Sequence, residues 1–407
     1  MERILTVEQM QENDKFTIEQ LGVNKTELIE RAGLAVTEEI IKRFPGGRVL
    51  VCLGNGNNGE DGRIIAKYLS KRHGFTVATL NVFRGFYKMF DRKFDIIVDC
   101  IFGTGLNREV SGKQKEAIEK INNSGAFIIS CDIPSGLNGN TGLVMGIAVK
   151  ANLTIAIQEY KLGHFLNDGP DYTGQIICKD IGISVWGEDY VNRVSQNEVA
   201  KFFEKRKRNV NKGNFGKVSI LGGSKDFPGS VLLSLNGLSA LRVGTGYANL
   251  AVPESLLPIY SCIVPECTMT GIKDNKGYLT FDKDNLDKLL KYDAISFGMG
   301  IGTNKENYEV LKYILCEYKG VLVIDADGLN VLSMYGLDVL KKKKCDVILT
   351  PHIKEFSRLT KQSVEFIKEN SLNCAKSFAK EFNVIVVLKS ATTVISDGEK
   401  IYLNTVG

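Results

Sequence analysis

One unit recurs along this chain and restricts its fold more than any other feature. A short apolar strand runs directly into a polar glycine loop that opens a helix. Its clearest copy is RVLVCLG, then NGNNGEDG, then IIAKYLSKRHG, spanning Arg48 to Gly74. FTVATLNV, FDIIVDCIF, AFIISCDI, LTIAIQ and QIICKDIGI follow as further short apolar runs, with the helical stretch KQKEAIEKINNSG among them. Strands that alternate with helices and end in turn glycines predict a parallel α/β sheet. The first forty-odd residues read as helical, because Leu28, Ile29, Ala32, Ala35, Val36 and Ile40 recur near a 3.6-residue spacing.

Around residues 187–212 the apolar runs give way to a charged, polar stretch, and a second α/β series begins at KVSILGGS. It continues through a helix in SVLLSLNGLSALRVG, the strands of YANLAV, DAISFGMGIG, GVLVIDADG and DVILTPH, a helix at Ser371–Phe382, and VIVVLKSATTVI. At 407 residues the chain is too long for one ordinary core. The expected organisation is a first domain over 1–190, a linker over 191–208 and a second domain over 209–407. The basic run Lys205, Arg206, Lys207, Arg208 has no interleaved aromatic residues or RNA-binding motif beside it. A solvated linker is expected there rather than a nucleic-acid site.

The nine cysteines form no CxxC pair, and Cys52, Cys131 and Cys178 sit inside apolar runs, as small buried hydrophobes do. With three scattered histidines, a zinc site is not expected. The odd cysteine count, the acids near the N-terminus and the lack of an eighteen-residue apolar run predict a cytoplasmic protein with no membrane segment and no leader.

Open α/β sheets place their ligands beyond the carboxyl ends of the strands. Three such ends carry polar loops here. Gly54–Gly62 joins a strand to a helix, where glycines let backbone amides approach an anion and the helix N-terminus favours phosphate. Asp99 ends FDIIVD before CIFGTGLNRE, and Asp132 ends AFIISCD before Ile-Pro-Ser-Gly. A single strand-end Asp is ordinarily a cap or turn residue, but three converging loops point to a site. Asp61 has a helix-capping alternative.

GNGNNGEDG, DCIFGTGL, DIPSGLNGNTG, KLGH…GPDYTG and the early LIERAG together resemble the NAD(P)H-hydrate epimerase domain over roughly residues 1–190. The resemblance implies a Rossmann-like three-layer parallel-sheet domain. It implies that Asn57, Asn58, Gly59, Glu60 and Asp61, with Gly103, Thr104, Gly105, Leu106, Asn107, Arg108 and Glu109, hold a hydrated nicotinamide nucleotide. Asp132 would contact the reacting ring and transfer the proton, and Asn58, Asp99 and Ser135 would help bind K+. Two departures stand out: Glu60 replaces the family's usual Gly, and only about a dozen residues separate LNVF from FDIIVD, so a helix, with or without a strand, is expected to be trimmed there.

KGNFGKVSILGGS, GSVLLSLNGLSALRVGTG, GMGIG, VIDADGLN, TPHIKEF and VLKSATTVI resemble, over 209–407, the ADP-dependent NAD(P)H-hydrate dehydratase, a ribokinase-like α/β domain. The resemblance implies that Gly300 and His352 contact the hydrate, and that Lys389, Ser390, Ala391, Thr392 and Thr393 wrap the phosphates of ADP, which is used with Mg2+. Taken alone, His352 is equally a capping or core histidine, and Lys389–Thr393 equally a β-turn. Ribokinase-like sites finish with a GTGD loop. Gly244–Gly246 reads GTG, but Tyr247 follows. Because the sequence ends at YLNTVG, the dehydratase domain is expected to be incomplete, truncated before that loop, and inactive in dehydration.

The whole reading is a metabolite-repair enzyme acting on NADHX or NADPHX, without nucleic-acid or membrane partners, and a homo-oligomer. The other readings are a non-catalytic scaffold of the first fold, as in RNA metabolism, and a ribokinase-like small-molecule kinase.

Overall fold

The computed structural model describes residues 2–84, 87–187, 190–203, 205–238 and 243–406. They form two compact units, Met1–Arg193 with Thr405–Gly407, and Val194–Asn404.

In the first unit the chain runs β1 (Glu2–Leu5), α1 (Val7–Glu19), α2 (Lys25–Arg43), β2 (Gly47–Leu53), α3 (Asn57–Leu69), β3 (Phe75–Asn81), β4 (Ile96–Cys100), α4 (Gly112–Asn122), β5 (Phe127–Cys131), β6 (Leu153–Ile157), β7 (Tyr160–Lys161), α5 (Gly169–Thr173), β8 (Gln175–Lys179) and β9 (Val191–Arg193). The main sheet has the order β3-β2-β4-β5-β6-β8 with every neighbouring pair parallel. Its strands are apolar on both faces because helices cover both. On β2, Val49, Val51 and Leu53 face the layer of α2 and α3, where Leu28, Ala32, Val36 and Ile40 meet Ile65 and Leu69. Leu50 and Cys52 face the opposite layer, with Ala117, Ile118 and Ile121 of α4. This alternation makes the three layers. Gly33 of LIERAG is where α2 meets α3, since a Cβ there would lie 2.5 Å from Ile64.

The N-terminus differs from the all-helical expectation. Residues 2–5 form β1, because a register partner exists on each side: β7 in parallel and β9 antiparallel. α1 then starts from a capping box in which Thr6 Oγ1 accepts from Gln9 N–H and Gln9 Oε1 from Thr6 N–H. Between β3 and β4 the described residues carry one short 3₁₀ turn, Tyr87–Asp91, and no α-helix.

In the second unit the strands are β10 (Lys217–Leu221), β11 (Tyr247–Pro253), β12 (Thr268–Ile272), the small hairpin β13 (Asp274–Asn275) and β14 (Tyr278–Leu279), β15 (Ala294–Phe297), β16 (Val321–Ile324), β17 (Asp346–Leu349), β18 (Ile385–Leu388), β19 (Thr393–Ser396) and β20 (Ile401–Asn404). Their order is β12-β11-β10-β15-β16-β17-β18-β19-β20, parallel as far as β18 and antiparallel for the last two. Helix Ser371–Phe382 has the expected bounds, and the helix in SVLLSLNGLSALRVG is seen over Pro228–Leu238, with 239–242 outside the described residues. No described helix is long and apolar enough to cross a membrane.

Candidate active site

A cavity of about 840 Å³ opens in the first unit at the carboxyl ends of its strands. Its wall brings together Asn57, Asn58, Asp61, the loop Gly103–Arg108 and Asp132. Gly59, Glu60 and Glu109 are not part of that wall. Glu60 turns outward, half exposed, and pairs with Arg63 one helical turn along, so its carboxylate is not part of the cavity wall. Gly59 faces the strand end behind it, where a Cβ would stand 2.2 Å from the Gly54 carbonyl oxygen. Only glycine lets α3 begin this close to β2. Its N-cap, Gly56, offers no side chain to the first amides, so the positive end of the helix is left for a ligand.

Asp132 has φ 65°, a left-handed conformation that costs a non-glycine residue roughly 1–2 kcal/mol. Several bonds hold it there. Its Oδ1 accepts from Ile157 N–H (3.0 Å) and from the Lys161 ammonium. Lys161 is almost wholly buried and also donates to the Ile157 carbonyl (2.6 Å). His164 Nδ1 accepts from Lys161 N–H (3.1 Å), so its Nε2 carries the proton and donates to the Asp132 carbonyl (2.8 Å). Burial, helped by the Lys161 charge, depresses the His164 pKa to about 4, and the ring stays neutral. Strain held by so many contacts is typical of a working residue.

Two further carboxyls share the cavity. Burial and then the charges of Asp132, Asp14 and Glu60 push Asp61 up to about 8, so it is largely protonated at neutral pH. Asp14, on α1, is raised to about 6, first by burial, with Asp132 adding and Lys161 and Lys25 opposing. Sequence reasoning missed Asp14 and assigned no role to Lys161 or His164. A signal for Asp14 exists: it interrupts the row Met10, Asp14, Ile18, whose members all line the cavity.

Asp99 lies beneath the wall, fully buried. Its oxygens accept from Ser135 Oγ (2.6 Å), Ser135 N–H (2.8 Å), Ser130 Oγ (2.9 Å) and Ile101 N–H (3.3 Å). Burial raises its pKa against these bonds. Asn58 donates to the Phe102 carbonyl (2.8 Å), while its buried Oδ1 has no partner. A carboxylate, a hydroxyl and an orphaned amide oxygen are donor types that hard cations take. No cluster of three or more His, Cys, Asp or Glu able to hold a metal occurs among the described residues.

In the second unit the candidate residues sit on neighbouring strand ends. The Lys389 ammonium bonds both oxygens of Asp325 (2.9 and 3.1 Å), and its N–H donates to the Pro351 carbonyl (2.8 Å). A parallel bridge sets His352 beside Lys389. His352 caps helix Ile353–Thr360, its Nδ1 accepting from Lys354 and Glu355 N–H (3.1 and 3.2 Å), so the capping alternative describes its present contacts. Its ring is half exposed. Lys389–Thr392 turns between β18 and β19, Ser390 and Ala391 are open, Thr392 is buried and Thr393 begins β19. Ala326, after Asp325, has φ 50° and ψ −120°, a second strained residue at a strand end. Gly300, after β15, packs on Phe227 and Ser230.

Comparison with known proteins finds matches for both parts of the chain. A family model described as NAD(P)H-hydrate dehydratase matches residues 218–407, and one described as YjeF-related protein N-terminus matches 25–92 and 83–163. The expectation of a C-terminally truncated dehydratase domain finds no support in the first match, which runs to residue 407. The chain is 31% identical over 396 residues to the bifunctional NAD(P)H-hydrate repair enzyme Nnr of Dictyoglomus turgidum, covering 88% of this chain and 75% of that protein. The enzyme of the same description from Thermofilum pendens is 31% identical over 399 residues, covering 89% and 75%. A crystal structure of the ADP/ATP-dependent NAD(P)H-hydrate dehydratase from Bacillus subtilis, co-crystallized with ATP/Mg2+, is 27% identical, with a TM-score of 0.44 over 53% of this chain and 73% of that one. With both family domains present in order and relatives matched over three quarters of their length, the chain belongs to the bifunctional NAD(P)H-hydrate repair enzymes.

Proposed function

We propose that the first unit interconverts the R and S hydrates of NADH or NADPH, and that the second takes the S hydrate and an adenine nucleotide for dehydration. One observation carries the first half: strained Asp132, pinned by buried Lys161 and neutral His164, beneath two glycine loops on one cavity. The hydrate bears a hydroxyl at C6 of its ring. Inverting that carbon requires loss of the hydroxyl and return of water on the other face, with a proton moved each time. Asp132 serves as the proton-transferring carboxylate, a role worth about 10²–10⁴ in rate. The α3 N-terminus and the Gly103–Arg108 loop hold the nucleotide's phosphates and sugar. The test is chromatographic: pure R hydrate mixed with the protein should relax to both epimers much faster than without it. An unchanged rate would overturn the reading.

Asn58, Asp99 and Ser135 would hold K+, which would satisfy Asn58 Oδ1, offset the Asp99 charge and tie the α3 start to the Gly103–Arg108 loop. Potassium in place of tetramethylammonium should therefore raise the melting midpoint reported by Trp186, the chain's single tryptophan. By linkage, about 2.7 kcal/mol is gained at a hundredfold excess over Kd. Asp99→Ala should remove that salt dependence and weaken hydrate binding. Identical midpoints in both salts would count against the site.

In the second unit, Gly300 and His352 would meet the hydrate, and Lys389–Thr393 would hold the phosphates of ADP with Mg2+. The Lys389–Asp325 pair supports this, because it fixes an ammonium at the strand ends, where a phosphate can share it. Lys389→Ala should weaken ADP binding by about tenfold, one charge-assisted contact of roughly 1.4 kcal/mol, measured by calorimetry. Unaltered affinity would remove Lys389 from the nucleotide site.

A further inference from the structure

Inversion at one carbon sets a geometric demand that Asp132 alone does not meet. The departing hydroxyl must be protonated on one face of the ring, and the incoming water deprotonated on the other. A fixed carboxyl reaches one face. Asp132 follows β5 and Lys161 ends β7, whereas Asp14 enters from helix α1, another wall of the same cavity. The Asp14 Oδ1 is buried and has no hydrogen-bond partner among the described residues. A buried polar atom left unpaired costs about 1–3 kcal/mol, and it persists where a ligand supplies the missing partner.

Resting on the epimerase reading above, we propose that Asp14 is a second proton-transferring residue, serving the ring face that Asp132 does not. In one direction the Asp14 carboxyl gives its proton to the C6 hydroxyl as the C–O bond breaks. The bonding pair leaves with the water formed, and the ring-nitrogen lone pair closes a C6=N bond. Water then adds to C6 from the other face, the C=N pair returns to nitrogen, and the added water's surplus proton passes to the Asp132 carboxylate. Asp14 ends ionised and Asp132 protonated, the state required for the reverse direction, and exchange with solvent resets both. The upward displacement of Asp14 by burial keeps its two forms within reach near neutral pH, with Lys161, Asp132 and Lys25 setting the balance. Asp61 meets the demand less well, because it belongs to the first turns of α3 and is more deeply enclosed.

The experiment compares full-length wild type, Asp14→Asn and Asp14→Glu in steady-state epimerisation, with Trp186 fluorescence melts as the folding control. Asp14→Asn should lose kcat by about 10²-fold, the usual worth of one acid–base group, with KM changed less than about threefold. Asp14→Glu should recover about a tenth of wild-type kcat, since a carboxyl is restored at a different reach. A kcat for Asp14→Asn within about threefold of wild type would overturn the assignment. So would a loss confined to KM that Glu does not relieve, which marks a binding or structural residue. If Asp14→Asn does not fold, Asp14→Ala assayed with and without formate decides between the same outcomes, rescue by formate supporting the proposal and none opposing it. A wild-type chain that fails to interconvert the hydrates would instead sink the epimerase reading itself.

Discussion

Asp132→Asn is expected to slow interconversion of the hydrates by about 10²–10⁴ and to cost stability as well. The first effect follows from removing the proton-accepting oxygen while keeping the shape. The second follows from Lys161, which is almost wholly buried and has Asp132 as its ion-pair partner. Breaking a buried pair by neutralising one member leaves an uncompensated charge, typically worth about 3–5 kcal/mol. The loss is smaller here to the extent that Lys161 keeps its bond to the Ile157 carbonyl. Asp132→Asn combined with Lys161→Met should recover most of the stability and none of the activity. Trp186 fluorescence melts and chromatographic epimerisation assays separate the two effects. Near wild-type turnover in Asp132→Asn would remove this residue from the chemistry, and an unchanged melt would show that the pair is not a closed one.

Asp61→Asn is expected to do the opposite to stability. The folded pKa of Asp61 is raised from the ordinary aspartate value of 3.8 to about 8. Between those values the folded state binds the proton more tightly than the unfolded chain. Stability is therefore complete below about pH 4 and falls as pH rises towards about 8. His164 runs the other way. Its folded pKa is lowered to about 4, so its neutral burial costs stability as pH falls from about 6.5. Asparagine at 61 removes the carboxyl's share of the loss, and the midpoint at pH 8 should rise by roughly 5 °C or more. At pH 4.5 variant and wild type should nearly coincide. A variant less stable than wild type at pH 8 would show that Asp61 is ionised and paired in the native protein.

Much of the first unit is legible along the chain because its signals are local. Asp99 and Asp132 follow largely apolar strand runs, and GNGNNGEDG leaves a strand and runs into the first turns of a periodic helix. Those patterns dictate a parallel sheet with its loops on one rim, whatever the rest does. Glu60 lies outward on α3, beside Arg63 at i+3 on the same helix face. β1 was unreadable from four residues, since its partners β7 and β9 lie far along the chain.

The chemistry of the cavity belongs to the tertiary structure. Asp14, Asp61, Asp132 and Lys161 are four ordinary charged residues in the sequence, on elements separated by long stretches of chain. Burial in one cavity makes one carboxyl an acid near pH 8, leaves an oxygen of another without a partner, and ties the third to a lysine. Likewise His164 is an unassigned ring until the backbone places a donor at Nδ1 and an acceptor at Nε2. Periodicity encodes which face of an element is apolar, an effect that acts within a few residues. A group's protonation state depends on the charges and solvent around it in space, and only the folded chain arranges those.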